Sequence, residues 1–256
     1  MSEAPAFDTA LDERLEYRLR LVVVPVTLLV SWLLTATGAG RMLGRIFLSM
    51  WLHEIGHAVA AWLCGILAFP GPWVTPMGSG RSAVVVLLLA VGLAALGYRS
   101  WRRKRPLGVA VAGALLLLQL VCSLMPLRSA RVLITFCGDG GGMVLGALLV
   151  CTFYVGAEHP LRTRWLRWGF VVIGAFGLAD PARTWWAART DFDAIPFGHI
   201  EGAGLSDPSR LEAFGWSAAR MTRGYLLVAL LCLLVILAVH VRGVWQARAA
   251  LRQPQP

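Results

Sequence analysis

Residues 224–241 read GYLLVALLCLLVILAVHV, a run without a single Asp, Glu, Lys or Arg. At 1.5 Å of rise per residue, a helix of this length and apolarity crosses most of a hydrocarbon layer about 30 Å thick. Upstream of it, the same reading applies to 19–37, 43–67, 83–98, 107–125, 132–157 and 165–179. The proline at position 25 is expected to bend the first of these, the third is short, and Asp180-Pro181 is expected to stop the marginal sixth. The expected fold is an all-α polytopic membrane protein with six to seven transmembrane helices.

The whole chain agrees with that reading. Of its 256 residues 57% are hydrophobic and only 15% charged, and the mean hydropathy of +0.66 excludes an ordinary soluble domain. The net charge of +10 comes from Arg placed almost wholly between apolar runs, which suits membrane flanks and not a nucleic-acid face. No nucleic-acid partner is expected; the lipid bilayer is. The basic cluster at 99–105 is the best single vote for a cytoplasmic loop and places the N-terminus outside. Most of the 11 Trp fall near segment ends, among them Trp165, Trp168, Trp185, Trp186 and Trp245, as in an aromatic belt. The five Cys are odd in number, lie in or beside apolar segments and form no C-x-x-C, so neither a disulfide framework nor a thiolate zinc site is expected.

These runs divide the chain into a polar leader (1–18), a transmembrane domain (19–180) with a core at 43–156, an extramembrane loop or small cap (181–223), the last transmembrane helix (224–241) and a basic, disordered tail (242–256). The leader carries mixed charges rather than a short basic start, so the first run reads as a retained span and not a secretory signal. The expected location is integral, multi-pass, in the cell membrane.

The second run contains Leu52-His53-Glu54-Ile55-Gly56-His57-Ala58-Val59. Two His four apart share one helical face, so both imidazoles can reach one ion, with Glu54 beside them able to hold a water and move its proton. Three ionisable groups within five positions of an apolar helix cost several kcal/mol on insertion, about 2.5–3.5 for a central acid alone, which mere packing specificity rarely explains. Zinc with three protein ligands keeps one position open for water, so a third ligand is required. Asp139, in the Gly-rich stretch Gly138-Asp139-Gly140-Gly141-Gly142, is the candidate, because the glycines allow close approach to the His helix. His57 and Asp139 also sit at matching depth, to about 5 Å at 1.5 Å per residue. His159 and Asp180, both next to a Pro at segment ends, are the other candidates, and Asp139 at a helix start reads equally as a capping residue. The Gly run lacks the Lys-Ser/Thr of a phosphate-binding loop.

With His53, Glu54, His57 and Asp139-Gly140, the sequence resembles the site-2 protease family of intramembrane zinc metalloproteases (M50-type), as a divergent member, over about 43–156. The resemblance implies zinc ligation by His53, His57 and Asp139, Glu54 as catalytic base, and a membrane-spanning segment of another protein as substrate. Two runs separate the motifs here, so their helices are expected to be antiparallel. The expected function is thus intramembrane zinc proteolysis; the alternatives are a metal or proton transporter using the same residues, or a catalytically silent membrane scaffold. His199 and Glu201 read as a solvated loop pair, and His240 as an interfacial side chain reaching for water.

Overall fold

The computed structural model describes residues 9–156, 159, 161, 166–200 and 204–252. Residues 1–8 of the leader, Trp165, Glu201 and residues 253–256 of the tail lie outside them. The described residues are mostly helical, with two small hairpins. Among them, five helices are long and apolar enough to cross a membrane: Glu13–Leu34, Gly38–Leu63, Ala83–Arg102, Pro106–Leu124 and Ala218–Ala250. A sixth span forms if the bent pair Leu127–Phe136 and Asp139–Tyr154 counts as one.

The chain folds as two compact units. The first takes residues up to Ser49, Met143–Ala187 and residues from Gly224 onward. It contains α1 (Thr9–Leu34), α2 (Gly38–Gly44), a π-helical turn (Arg45–Ser49), most of α7 (Asp139–Cys151), α8 (Leu166–Ala187) and most of α10 (Ala218–Ala250). The leader is therefore helical from Thr9, and the tail continues as helix to Ala250 instead of starting at 242. Helix α1 runs unbroken through Pro25.

Helix α8 likewise continues through Asp180-Pro181, against the expected stop, and it is not among the helices that qualify as spans. Asp180 is buried and engaged: Ser49 Oγ donates to Oδ2 at 2.7 Å, Arg45 lies at 3.1 Å and Arg41 at 3.5 Å. The Thr184 hydroxyl caps the Asp180 carbonyl at 3.1 Å. With tertiary partners for its carboxylate, an Asp in mid-helix loses its value as a breaker. Helices α7 and α8 cross at Gly146 and Gly174, where a Cβ on Gly146 would lie 2.7 Å from the Gly174 carbonyl oxygen. His240 is half-buried, and its Nδ1 lies 2.6 Å from the Tyr154 hydroxyl.

The second unit takes Met50–Gly142 and Ala188–Arg223. It comprises α3 (Met50–Leu63), β1 (Ile66–Ala68), β2 (Met77–Arg81), α4 (Ala83–Arg102), α5 (Pro106–Leu124), α6 (Leu127–Phe136), a second hairpin of β3 (His199–Ile200) and β4 (Gly204–Leu205), and α9 (Asp207–Ala213). Strands β1 and β2 pair antiparallel, and the Arg81 side chain binds the carbonyls of Cys64 and Cys122, tying the hairpin to the ends of α3 and α5. Helices α4 and α5 pack together yet leave Val84, Leu87, Leu88, Leu117 and Leu120 exposed, an outer face suited to lipid and not to water. They supply the two expected runs between the His-rich helix and the Asp-Gly.

Candidate metal centre

The run expected as one fifth span is broken. Gly138 and Gly140 to Gly142 are poor helix formers, and the chain bends by 54° between α6 and α7, making Asp139 the first residue of α7. The break lies against Gly56 on α3. A Cβ at Gly56 would overlap the Cys137 carbonyl oxygen, and one at Gly141 would stand 2.9 Å from the Gly56 Cα. The glycines thus bring this stretch close against the His-bearing helix, the approach that the sequence leads one to expect, at a bend that it does not.

On α3, His53 and His57 stand one turn apart with ring centroids 4.7 Å apart. His57 Nδ1 lies 2.8 Å from the Ile134 carbonyl, which can only accept, so this nitrogen carries the hydrogen. His53 Nδ1 lies 3.0 Å from Asp139 Oδ1 and donates likewise to a carboxylate. In the neutral imidazoles both Nε2 atoms are left with their lone pairs, the arrangement that outer partners impose on metal-ligating His.

Both Nε2 atoms meet Asp207 Oδ2, the one on His57 at 3.0 Å and the one on His53 at 3.2 Å, and are themselves 3.2 Å apart. Two ligands of a tetrahedral zinc at about 2.0–2.1 Å are about 3.3 Å from each other. The three donors therefore trace one face of a tetrahedron of nearly that size. Without an ion, His53 and His57 protonated at Nε2 donate to Asp207 and, against the effect of burial, hold its carboxyl below the usual range. With both Nε2 atoms unprotonated, that oxygen and two lone pairs this close repel unless a cation stands between them. His53, His57 and Asp207 form a group that could hold a metal ion.

Gly138 permits this convergence. A Cβ there would lie 2.6 Å from each of His53 Cε1, His57 Cε1 and Asp207 Oδ2. Glu54 is buried beside the pair, with the Thr75 hydroxyl 2.6 Å from its Oε2 and 3.0 Å from its main-chain oxygen. A cavity of about 640 Å³ adjoins, and its wall includes Thr75, the partner of Glu54, and Ile134, the partner of His57.

The structure brings His53, His57 and Asp139 together, with Asp139 on the outer nitrogen of His53 and Asp207 at the Nε2 atoms, and it holds the Glu54 carboxylate against Thr75. The other two candidates lie elsewhere: the His159 ring accepts the Leu161 N–H, and Asp180 is held by Arg45 and Ser49. Asp207 escapes a reading of the sequence because Ser206-Asp207-Pro208 looks like any helix start, and Ser206 is indeed the N-cap of α9. Its one distinguishing signal is its position in the longest polar stretch of an otherwise apolar chain. No protein-family model matches the chain, and no curated protein or solved structure matches it significantly.

Proposed function

We propose that the protein is a membrane-embedded zinc metalloprotease, hydrolysing peptide bonds in or near membrane-spanning segments of other proteins. One observation carries this reading: the two Nε2 atoms of an H-E-x-x-H helix and a carboxylate oxygen stand 3.0–3.2 Å apart, the spacing of three tetrahedral zinc ligands, beside a buried glutamate. His53, His57 and Asp207 would hold the ion, with Asp139 and the Ile134 carbonyl orienting the imidazoles from behind. Zinc held there supplies Lewis acidity.

The remaining chemistry belongs to the chain. Glu54 takes the proton of the attacking water and delivers it to the leaving amine. Thr75 holds the Glu54 carboxylate by a hydrogen bond at 2.6 Å. The substrate must arrive locally unwound, because a helical peptide bond is shielded by its own backbone. A transporter would need further polar groups along a path, and the apolar faces of α4 and α5 offer few.

The test is cleavage of a membrane-segment substrate by the purified full chain and by Glu54→Gln. The expected result is zinc retained and the rate lowered by about 10²–10⁴-fold, the usual worth of a general base. Unchanged cleavage in Glu54→Gln, or no stoichiometric metal in the wild type, overturns the reading.

A further inference from the structure

The cavity beside Glu54 has an unusual wall. Much of it is apolar, from Ile66, Met77, Ile134, Leu205 and Phe214, and its only charged lining residues among the described ones are Arg131 and Arg210. Arg131, exposed on α6, gives one hydrogen bond to the Ser79 carbonyl at 2.7 Å, leaving further donors of its guanidinium fork for another acceptor. Arg210 follows Asp207 by three residues on α9, so the two stand on neighbouring positions of one short helix. One element therefore carries a proposed metal ligand and a cation of the cavity, and the cavity shares Thr75 with the proposed base.

Resting on the hydrolase reading above, we propose that this cavity is a specificity subsite for a carboxylate of the substrate chain, engaged by Arg131 and Arg210. Guanidinium forks bind carboxylates bidentately, and the apolar wall receives the carbon stem of the residue that bears the group. The carboxylate is either an acidic side chain near the scissile bond or the free C-terminus of the substrate. Either way the subsite selects which bond is presented: a group gripped by Arg210 lies at a fixed offset from the site that Asp207 helps to build.

The experiment uses the full chain in detergent, carrying Glu54→Gln to prevent turnover, and dye-labelled apolar peptides in three forms. One bears an interior Glu and an amidated end, one a Gln at that position and a free carboxyl end, and one the Gln with an amidated end. Fluorescence anisotropy should give affinity at least about tenfold higher for one carboxylate-bearing peptide than for the neutral one, and which of the two wins identifies the source. Arg131→Gln with Arg210→Gln should erase that difference and leave the neutral peptide unchanged. Arg131→Glu with Arg210→Glu should turn the preference towards a Lys-bearing peptide, a gain that only a folded protein can display.

Equal affinity for all three peptides, no measurable binding of any, or an acid preference that survives loss of both arginines overturns the subsite. Mass spectrometry of the same peptides with the wild-type chain separates the two claims. Acid-selective binding without cleavage defeats the hydrolase reading alone, and cleavage indifferent to the carboxylate and to both arginines defeats the subsite alone.

Discussion

Asp139 Oδ1 lies 3.0 Å from His53 Nδ1, the ring nitrogen opposite the one that meets Asp207. Two acids thus flank one imidazole in different roles, and their substitutions should differ. Asp207→Ala removes a donor and should abolish stoichiometric zinc. Asp139→Asn should keep one zinc per chain at saturation but weaken it about 10–100-fold, the usual cost of losing an outer partner. Elemental analysis and chelator competition on both variants check this, and the reverse order would make Asp139 the ligand.

Gly138→Ala should be as damaging as loss of an outer partner, lowering metal affinity by about 10–100-fold. The added Cβ would stand 2.6 Å from both imidazoles and from Asp207, and both imidazoles are held by partners behind them. Gly113→Ala, with nothing within 4 Å of the new methyl, is the control that should bind metal normally.

Thr75→Val tests the hold on Glu54. The loss of a hydrogen bond to a charged group, worth about 1.5–3 kcal/mol, leaves the buried carboxylate without that donor. Turnover should fall by about tenfold or more, since 1.4 kcal/mol is a factor of ten, while zinc content stays at the wild-type value. Rate and metal measured on one preparation decide it; parallel loss of both would place Thr75 in the fold instead of the chemistry.

Asp180→Ala should destabilise the first unit, by less than the 3–5 kcal/mol typical of a broken buried ion pair. The acid is 1% exposed, but the side chains of Arg41 and Arg45 are 46% and 36% exposed and regain water when it is lost. About 1–3 kcal/mol is expected, read from thermal unfolding in detergent.

Gly174→Leu should cost more than Gly174→Ala at the α7–α8 crossing. A Cβ already lies 2.9 Å from that of Leu149 and 3.0 Å from the Val150 nitrogen, so each further carbon forces the helices apart. Unfolding temperatures of the two variants, ranked against wild type, give the check.

The spans of this chain are written locally. Hydropathy summed over some twenty positions is a property of consecutive residues, so 224–241 and the runs at 83–98 and 107–125 announce helices without reference to anything else. The pairing of His53 with His57 is equally local, being a matter of helical period. Punctuation read the same way failed at Asp180-Pro181 and in the tail: α8 passes through the pair, with Arg45 and Ser49 engaging the Asp180 carboxylate, and α10 continues to Ala250. The break at Gly138 was legible as a run of glycines, but not as a bend, since whether glycines kink a helix or line a crossing depends on what packs against them.

By itself, then, the sequence determined a polytopic helical chain with an H-E-x-x-H on a buried helical face. Tertiary structure alone decided which acid completes the donor group. Asp139 and Asp207 each carry a carboxylate at a helix start, and composition or periodicity cannot rank them. The choice follows from which nitrogen each oxygen reaches once Gly56, Gly138 and Gly141 let the backbones close to contact, and convergence of residues far apart in the chain leaves no periodic trace along it.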